Sequence, residues 1–146
     1  MRLTVTTALL AGLAAATATF SLAHAENVIQ QRQALMKDMG GQMKIGADMA
    51  KGKIPFDAAK AETIFATLQK NMKGYVDLFP AGSDVGDTKA EPVVWSDRAG
   101  FEAAIAKFEA TVAENSTAGA TETGFKTAFA AVGEGCRTCH QTFKAR

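Results

Sequence analysis

Residues 125–143 read FKTAFAAVGEGCRTCHQTF, and the apolar or sulfur-bearing positions in that stretch are Phe125, Phe129, Val132, Cys136, Cys139 and Phe143. Steps of three and four residues return to one face of an α-helix, so the stretch predicts an amphipathic helix that opens at Thr121. The same spacing recurs upstream. From Asn27 to about Lys51 it runs through Val28, Leu35, Met36, Met39, Met43, Ala47 and Ala50. After Asp57 it runs through Ala61, Ile64, Phe65, Leu68, Met72 and Val76, fading near Phe79-Pro80, and after Asp97 through Phe101, Ile105, Phe108 and Val112. No segment alternates with period two, and β-branched residues cluster only at Val93-Val94, so no sheet is expected. Four such helices predict an all-α fold, an antiparallel up-and-down four-helix bundle. Three helices plus an arm is the alternative.

The breaks between the helices have local causes. Ile54-Pro55-Phe56 cannot continue a helix, and Asp57 then stands where an N-cap belongs. Ser96 or Asp97 can cap the third helix, which should stop between Asn115 and Gly119. Residues 80–96, PAGSDVGDTKAEPVVWS, hold glycine, aspartate and proline in no period. They predict a long surface connection whose Val93, Val94 and Trp95 dip back into the core, and long connections often carry function.

Composition removes several functions. The 146 residues are 47% hydrophobic, with 16 Lys+Arg against 15 Asp+Glu and two Cys. Such a chain suits one globular domain, has no basic footprint for nucleic acid or a membrane surface, and has too few cysteines for a disulfide scaffold. Residues 1–25 start Met1-Arg2, continue through the apolar Ala8 to Phe20 and end in Ala23-His24-Ala25. This is the pattern of a secretory signal peptide, expected to be cut before Glu26, leaving 26–146 as the working domain with no stable membrane insertion. A membrane anchor fits less well, because Thr17, Thr19 and Ser21 interrupt the apolar run. Removal of this leader takes away His24. The exported chain then keeps a single histidine, His140.

Cys136-Arg137-Thr138-Cys139-His140 is a CxxCH sequence, the attachment signature of c-type haem. Spacing of i, i+3 on a helix sets both sulfurs on one side, where they can form thioethers with the porphyrin vinyl groups, and His140 follows as an axial nitrogen for the iron. Two other uses of the motif are weaker. A thiol oxidoreductase would place the pair near a βαβ unit, and a zinc site would need four ligands where two Cys and one His stand. Gly133 and Gly135, just before the cysteines, would let a large flat group approach the helix backbone. With one histidine, bis-histidine ligation is ruled out. The sixth iron position is empty, held by water or held by methionine sulfur, with Met36, Met39, Met43, Met49 and Met72 as candidates.

Several short segments together resemble a known family. They are Gly135 to Lys144 around the motif, Arg32-Gln33-Ala34-Leu35-Met36-Lys37 in the first helix, Phe79-Pro80-Ala81-Gly82 after the second and Trp95-Ser96-Asp97 before the third. The chain resembles the class II cytochromes c over its whole mature length. The resemblance implies a left-handed four-helix bundle, one covalent haem c on the C-terminal helix, a periplasmic location and often a homodimer. It has two branches. In cytochrome c' the iron is five-coordinate and open to NO or CO, whereas in the low-spin branch a first-helix methionine takes the sixth site. By this alignment Met36 stands at the distal position, and Met36-Lys37 followed by Gly40-Gly41 looks more like the low-spin branch. Arg32 matches a family arginine near a haem propionate; the alternative is a solvated helix charge. Lys144 stands where cytochrome c' usually has arginine, and Phe143 reads as core packing.

The function expected from these readings is a non-enzymatic periplasmic electron carrier with Cys136, Cys139 and His140 on the haem and Met36 as sixth ligand. It would serve periplasmic redox partner proteins. The rival is a five-coordinate cytochrome c' that binds small gases such as NO or CO. A peroxidase would need a distal acid or base, and the first-helix stripe supplies only apolar groups.

Overall fold

Apolar faces at helical spacing have to be buried against one another, and in this chain they meet around one core. The computed structural model describes the backbone of residues 8–146 and the side chains from Ala25 onward. Helix α1 spans Ala8–Ala50, α2 Ala58–Met72, α3 the single turn Val93–Ser96, α4 Arg98–Ser116 and α5 Glu122–Phe143. Helix α1 packs on α2 and α5, and α4 packs on the same two, so the four long helices close a bundle. The first residues of the expected leader, 1–7, lie outside the described residues. Among the described residues no helix is long and apolar enough to cross a membrane.

Local chemistry starts the helices where the sequence indicates. The side chains of Asp57, Asp97 and Thr121 accept from the backbone N–H groups of Lys60, Gly100 and Gly124, each satisfying one of the donors a first turn leaves unpaired. Two boundaries differ from expectation. Helix α1 begins at Ala8 rather than Asn27, because the Ala/Leu-rich residues before Asn27 are strong helix formers. Helix α2 ends at Met72 instead of fading near Phe79: Gly74 adopts φ +71°, a left-handed conformation that closes the helix, and Tyr75–Leu78 continue as a 3-10 turn.

The bundle packs densely at one end. Ile64, Phe65, Val112, Phe125 and Val132 are fully buried there, and the Phe65 and Phe125 rings meet edge to face at 6.2 Å between centroids. Each such side chain contributes about 1.5–3 kcal/mol by leaving water. The long connection dips back at Val94 and, partly buried against the core, Trp95, whereas Val93 stays outside the core. Val94 is buried, and the Trp95 indole N–H donates to the Pro80 carbonyl at 3.0 Å. Arg98, at the start of α4, donates to the carbonyls of Phe79 and Val76 at 2.9 and 3.0 Å and so ties the 3-10 turn to the bundle.

Burial should therefore outweigh capping in stability. In urea denaturation, Phe125→Ala is expected to lower the unfolding free energy by about 3–5 kcal/mol and Asp97→Ala by about 1 kcal/mol.

Candidate functional site

The same helix that fills the packed end builds the site at the other. Helix α5 buries Phe125, Ala128 and Val132, and one turn further along the same face come Cys136 and Cys139, both half-buried and both free thiols. His140 follows at the exposed end of the helix. Burial, with the neighbouring Cys139 second, pushes the Cys136 thiol up to about 11, and burial also pushes Cys139 up. A thiol oxidoreductase needs the opposite, a thiol acidified into reactivity. Although His140 is exposed overall, partial desolvation where it lines the cleft, and second the nearby Lys144 ammonium, hold its imidazole below its usual range. Among the described residues no three His, Cys, Asp or Glu side chains converge on one point, so a zinc site has no ligand set.

Two adjoining hollows face this end of α5. The larger, about 360 Å³, is bounded by Arg32, Met36, Tyr75, Phe79, Lys89 and Lys144 among others. The smaller, about 270 Å³, is bounded by Met39, Gly40, Met43, Leu68, Phe108 and Gly133 among others. Met36, Ile105, Cys139 and His140 belong to both. The hollows thus form one cleft between α1 and α5, in the size range of small-molecule and cofactor sites. Its inner half is lined by thioethers, glycines and hydrocarbon, and its outer half by aromatic side chains such as Tyr75, Phe79 and Phe101 with three cations, Arg32, Lys89 and Lys144, against one carboxylate, Asp87. That lining fits haem, whose ring is apolar and whose two propionates are anionic.

The structure sorts the candidate residues. Of the five methionines, Met36 alone lines both hollows; Met39, Met43 and Met72 line only the inner one, and Met49 is 1% exposed in the core. Gly133 lines the cleft, and a Cβ there would meet only the Met43 methyl, at 3.9 Å. Gly135 does not serve the cleft. A Cβ on it would stand 2.9 Å from the Phe108 ring, so this glycine makes room for α4. Phe143 packs against Phe101 with ring centroids 5.2 Å apart.

Arg32 is not a solvated helix charge, being only 4% exposed. Its Nη1 donates to the Leu78 carbonyl and Ser83 Oγ, both at 3.2 Å. Its Nη2 donates to the Ser83 carbonyl and Thr88 Oγ1, both at 2.7 Å. The Nε–H is left as the one donor not engaged within the described residues. Sequence reading missed Tyr75, the only tyrosine, which is buried, lines the outer hollow and donates to no described group. The signal available was an amphipathic aromatic at the break that follows α2.

Comparison with known proteins places the chain in a family. The family model described as Cytochrome C' matches residues 27–144. The chain belongs to the cytochrome c' family. It is 35% identical over 147 residues to a cytochrome c-556 from Agrobacterium fabrum, covering 98% of this chain and 95% of that protein. Among solved structures, cytochrome c' from Rhodopseudomonas palustris superposes with a TM-score of 0.78 at 36% identity, over 82% of this chain and 96% of that one. A nitric oxide complex of a cytochrome c prime variant from Alcaligenes xylosoxidans superposes with a TM-score of 0.75 at 25% identity, over 84% and 97%. The solved cytochromes c' are four-helix bundles like this one, and family members carry a covalent haem c.

If the two sulfurs hold the haem, Cys136→Ser with Cys139→Ser should abolish it. Protein matured with a cytochrome assembly system is expected to keep the added mass through acid acetone, and the double variant to emerge colourless at the bare polypeptide mass.

Proposed function

We propose that this chain is a periplasmic electron carrier, exported by removal of residues 1–25, in which Cys136 and Cys139 bind haem c covalently, His140 supplies the proximal nitrogen and Met36 the sixth ligand. When bound, haem c supplies a one-electron ferric–ferrous couple. The chain's own contribution is positional. Helix α5 presents the sulfurs and imidazole from one wall of the cleft, and α1 presents the Met36 thioether to the same space. The observation that carries this reading is that Met36, alone among the methionines, lines both hollows together with His140. With haem bound, the Met36 thioether and the His140 imidazole would both be held by the bundle, so the ligand set would stay alike in both redox states, and a thioether would favour the reduced form relative to a second histidine. The chain acts here without catalysis, meeting redox partner proteins in weak, transient encounters.

A second reading draws on the nitric oxide complex of the Alcaligenes relative: a five-coordinate iron, with Met36 unligated and the distal face open to NO or CO. Optical spectra with and without dithionite and CO separate the two. The electron-carrier reading predicts low-spin bands in both oxidation states and sluggish CO binding, and Met36→Ala should then give a high-spin spectrum with ready CO binding. A parent protein that is high-spin, or a Met36→Ala variant with an unchanged spectrum, would remove Met36 from the ligands.

A further inference from the structure

Arg32 is a buried cation that has no carboxylate partner among the described residues. Its charge is met by two carbonyls, two hydroxyls and the faces of Phe79 and Trp95, whose ring centroids lie 4.6 and 5.6 Å from the guanidinium carbon. Desolvating a guanidinium is expensive, and a well-packed apolar side chain would serve stability alone at least as well. What the charge does achieve is to gather residues 78–88 onto one point of α1. Ser83 is fully buried in the middle of that connection, its hydroxyl accepting from Arg32 and donating to the Pro80 carbonyl at 2.9 Å. Gln33 adds a bond from its side-chain amide to the Asp87 carbonyl at 2.6 Å.

The bonding continues past Arg32. Thr88 Oγ1, which accepts from Arg32, also accepts from the Ala90 N–H at 3.1 Å. The Glu91 N–H then donates to the Phe143 carbonyl at 3.0 Å, and the Ala145 N–H donates to the Lys89 carbonyl at 2.8 Å. One hydrogen-bonded path therefore runs from α1, one turn before Met36, through the connection to the end of α5, one turn after His140. Residues 87–90 of this path also form a wall of the outer hollow.

We propose that residues 78–91 are a strap, locked by Arg32, that holds α1 at a fixed distance from the end of α5 and so keeps Met36 on the iron. Arg32 is a positioning residue: it acts through Ser83 and Thr88. The inference rests on Met36 ligation as proposed above. Slackening the strap lets α1 move away from α5 and frees the sixth position for an outside ligand, so the strap sets how readily a methionine-ligated site admits CO or NO.

The test uses holoprotein with Arg32→Lys, and separately Thr88→Val, which keeps the side-chain shape while deleting the shared acceptor. Two quantities are read: the CO association rate of the ferrous protein, and hydrogen exchange of the amides in residues 83–91. Both variants are expected to bind CO at least tenfold faster than the parent and to exchange faster across the strap. Should Arg32→Lys fail to fold, Thr88→Val alone carries the comparison. Variants that exchange faster across the strap yet bind CO within twofold of a low-spin parent would overturn the strap and leave Met36 ligation standing. A parent that is already high-spin would overturn Met36 ligation itself, and the strap with it.

Discussion

Two sulfurs three residues apart on a helix can share one flat group only if the helix faces a slot that side chains do not fill. That constraint divides the bundle in two. Towards the start of α5, Phe125 and Val132 interlock with Phe65 from α2 and Val112 from α4, and nothing but side chains occupies the interior. Towards its end, the same face carries Cys136 and Cys139, and the opposing surfaces draw back into a cleft with a methionine-rich inner half and a cationic rim. The packed half supplies the burial that lets the other half remain open. Protein interiors otherwise close such spaces, because an empty apolar cavity forfeits contact on both walls.

Much of this was legible from residue order alone. The three- and four-residue spacing located the four long helices, and Asp57, Asp97 and Thr121 marked three of their starts, because capping is a local interaction between neighbours in sequence. The dip of Val94 into the core was likewise visible, as a pair of β-branched residues inside a polar connection. CxxCH pointed to the cofactor because its chemistry requires those residue types at that spacing.

What escaped was long-range or conformational. Gly74 ends α2 through a left-handed backbone angle that the apolar stripe, continuing to Val76, concealed. Gly135 looked like a companion of Gly133 beside the cofactor. It faces Phe108 instead, and only the crossing of α4 and α5 decides that. Arg32 shows the limit most clearly: its acceptors, Leu78, Ser83 and Thr88, lie 46 to 56 residues away. No periodicity in α1 separates a solvated arginine from one that organises a distant connection, because the difference lies wholly in its partners. Tyr75 escaped for a related reason, since a single aromatic at a helix break does not say which cavity it lines.

On the proposed function, Met36 of α1 and His140 of α5 would both hold the haem iron. X-ray absorption at the iron edge of the holoprotein tests this directly. A sulfur scatterer in the iron's first shell, alongside nitrogen and present in both oxidation states, is the predicted result; a first shell of nitrogen alone, or of nitrogen and oxygen, would contradict it.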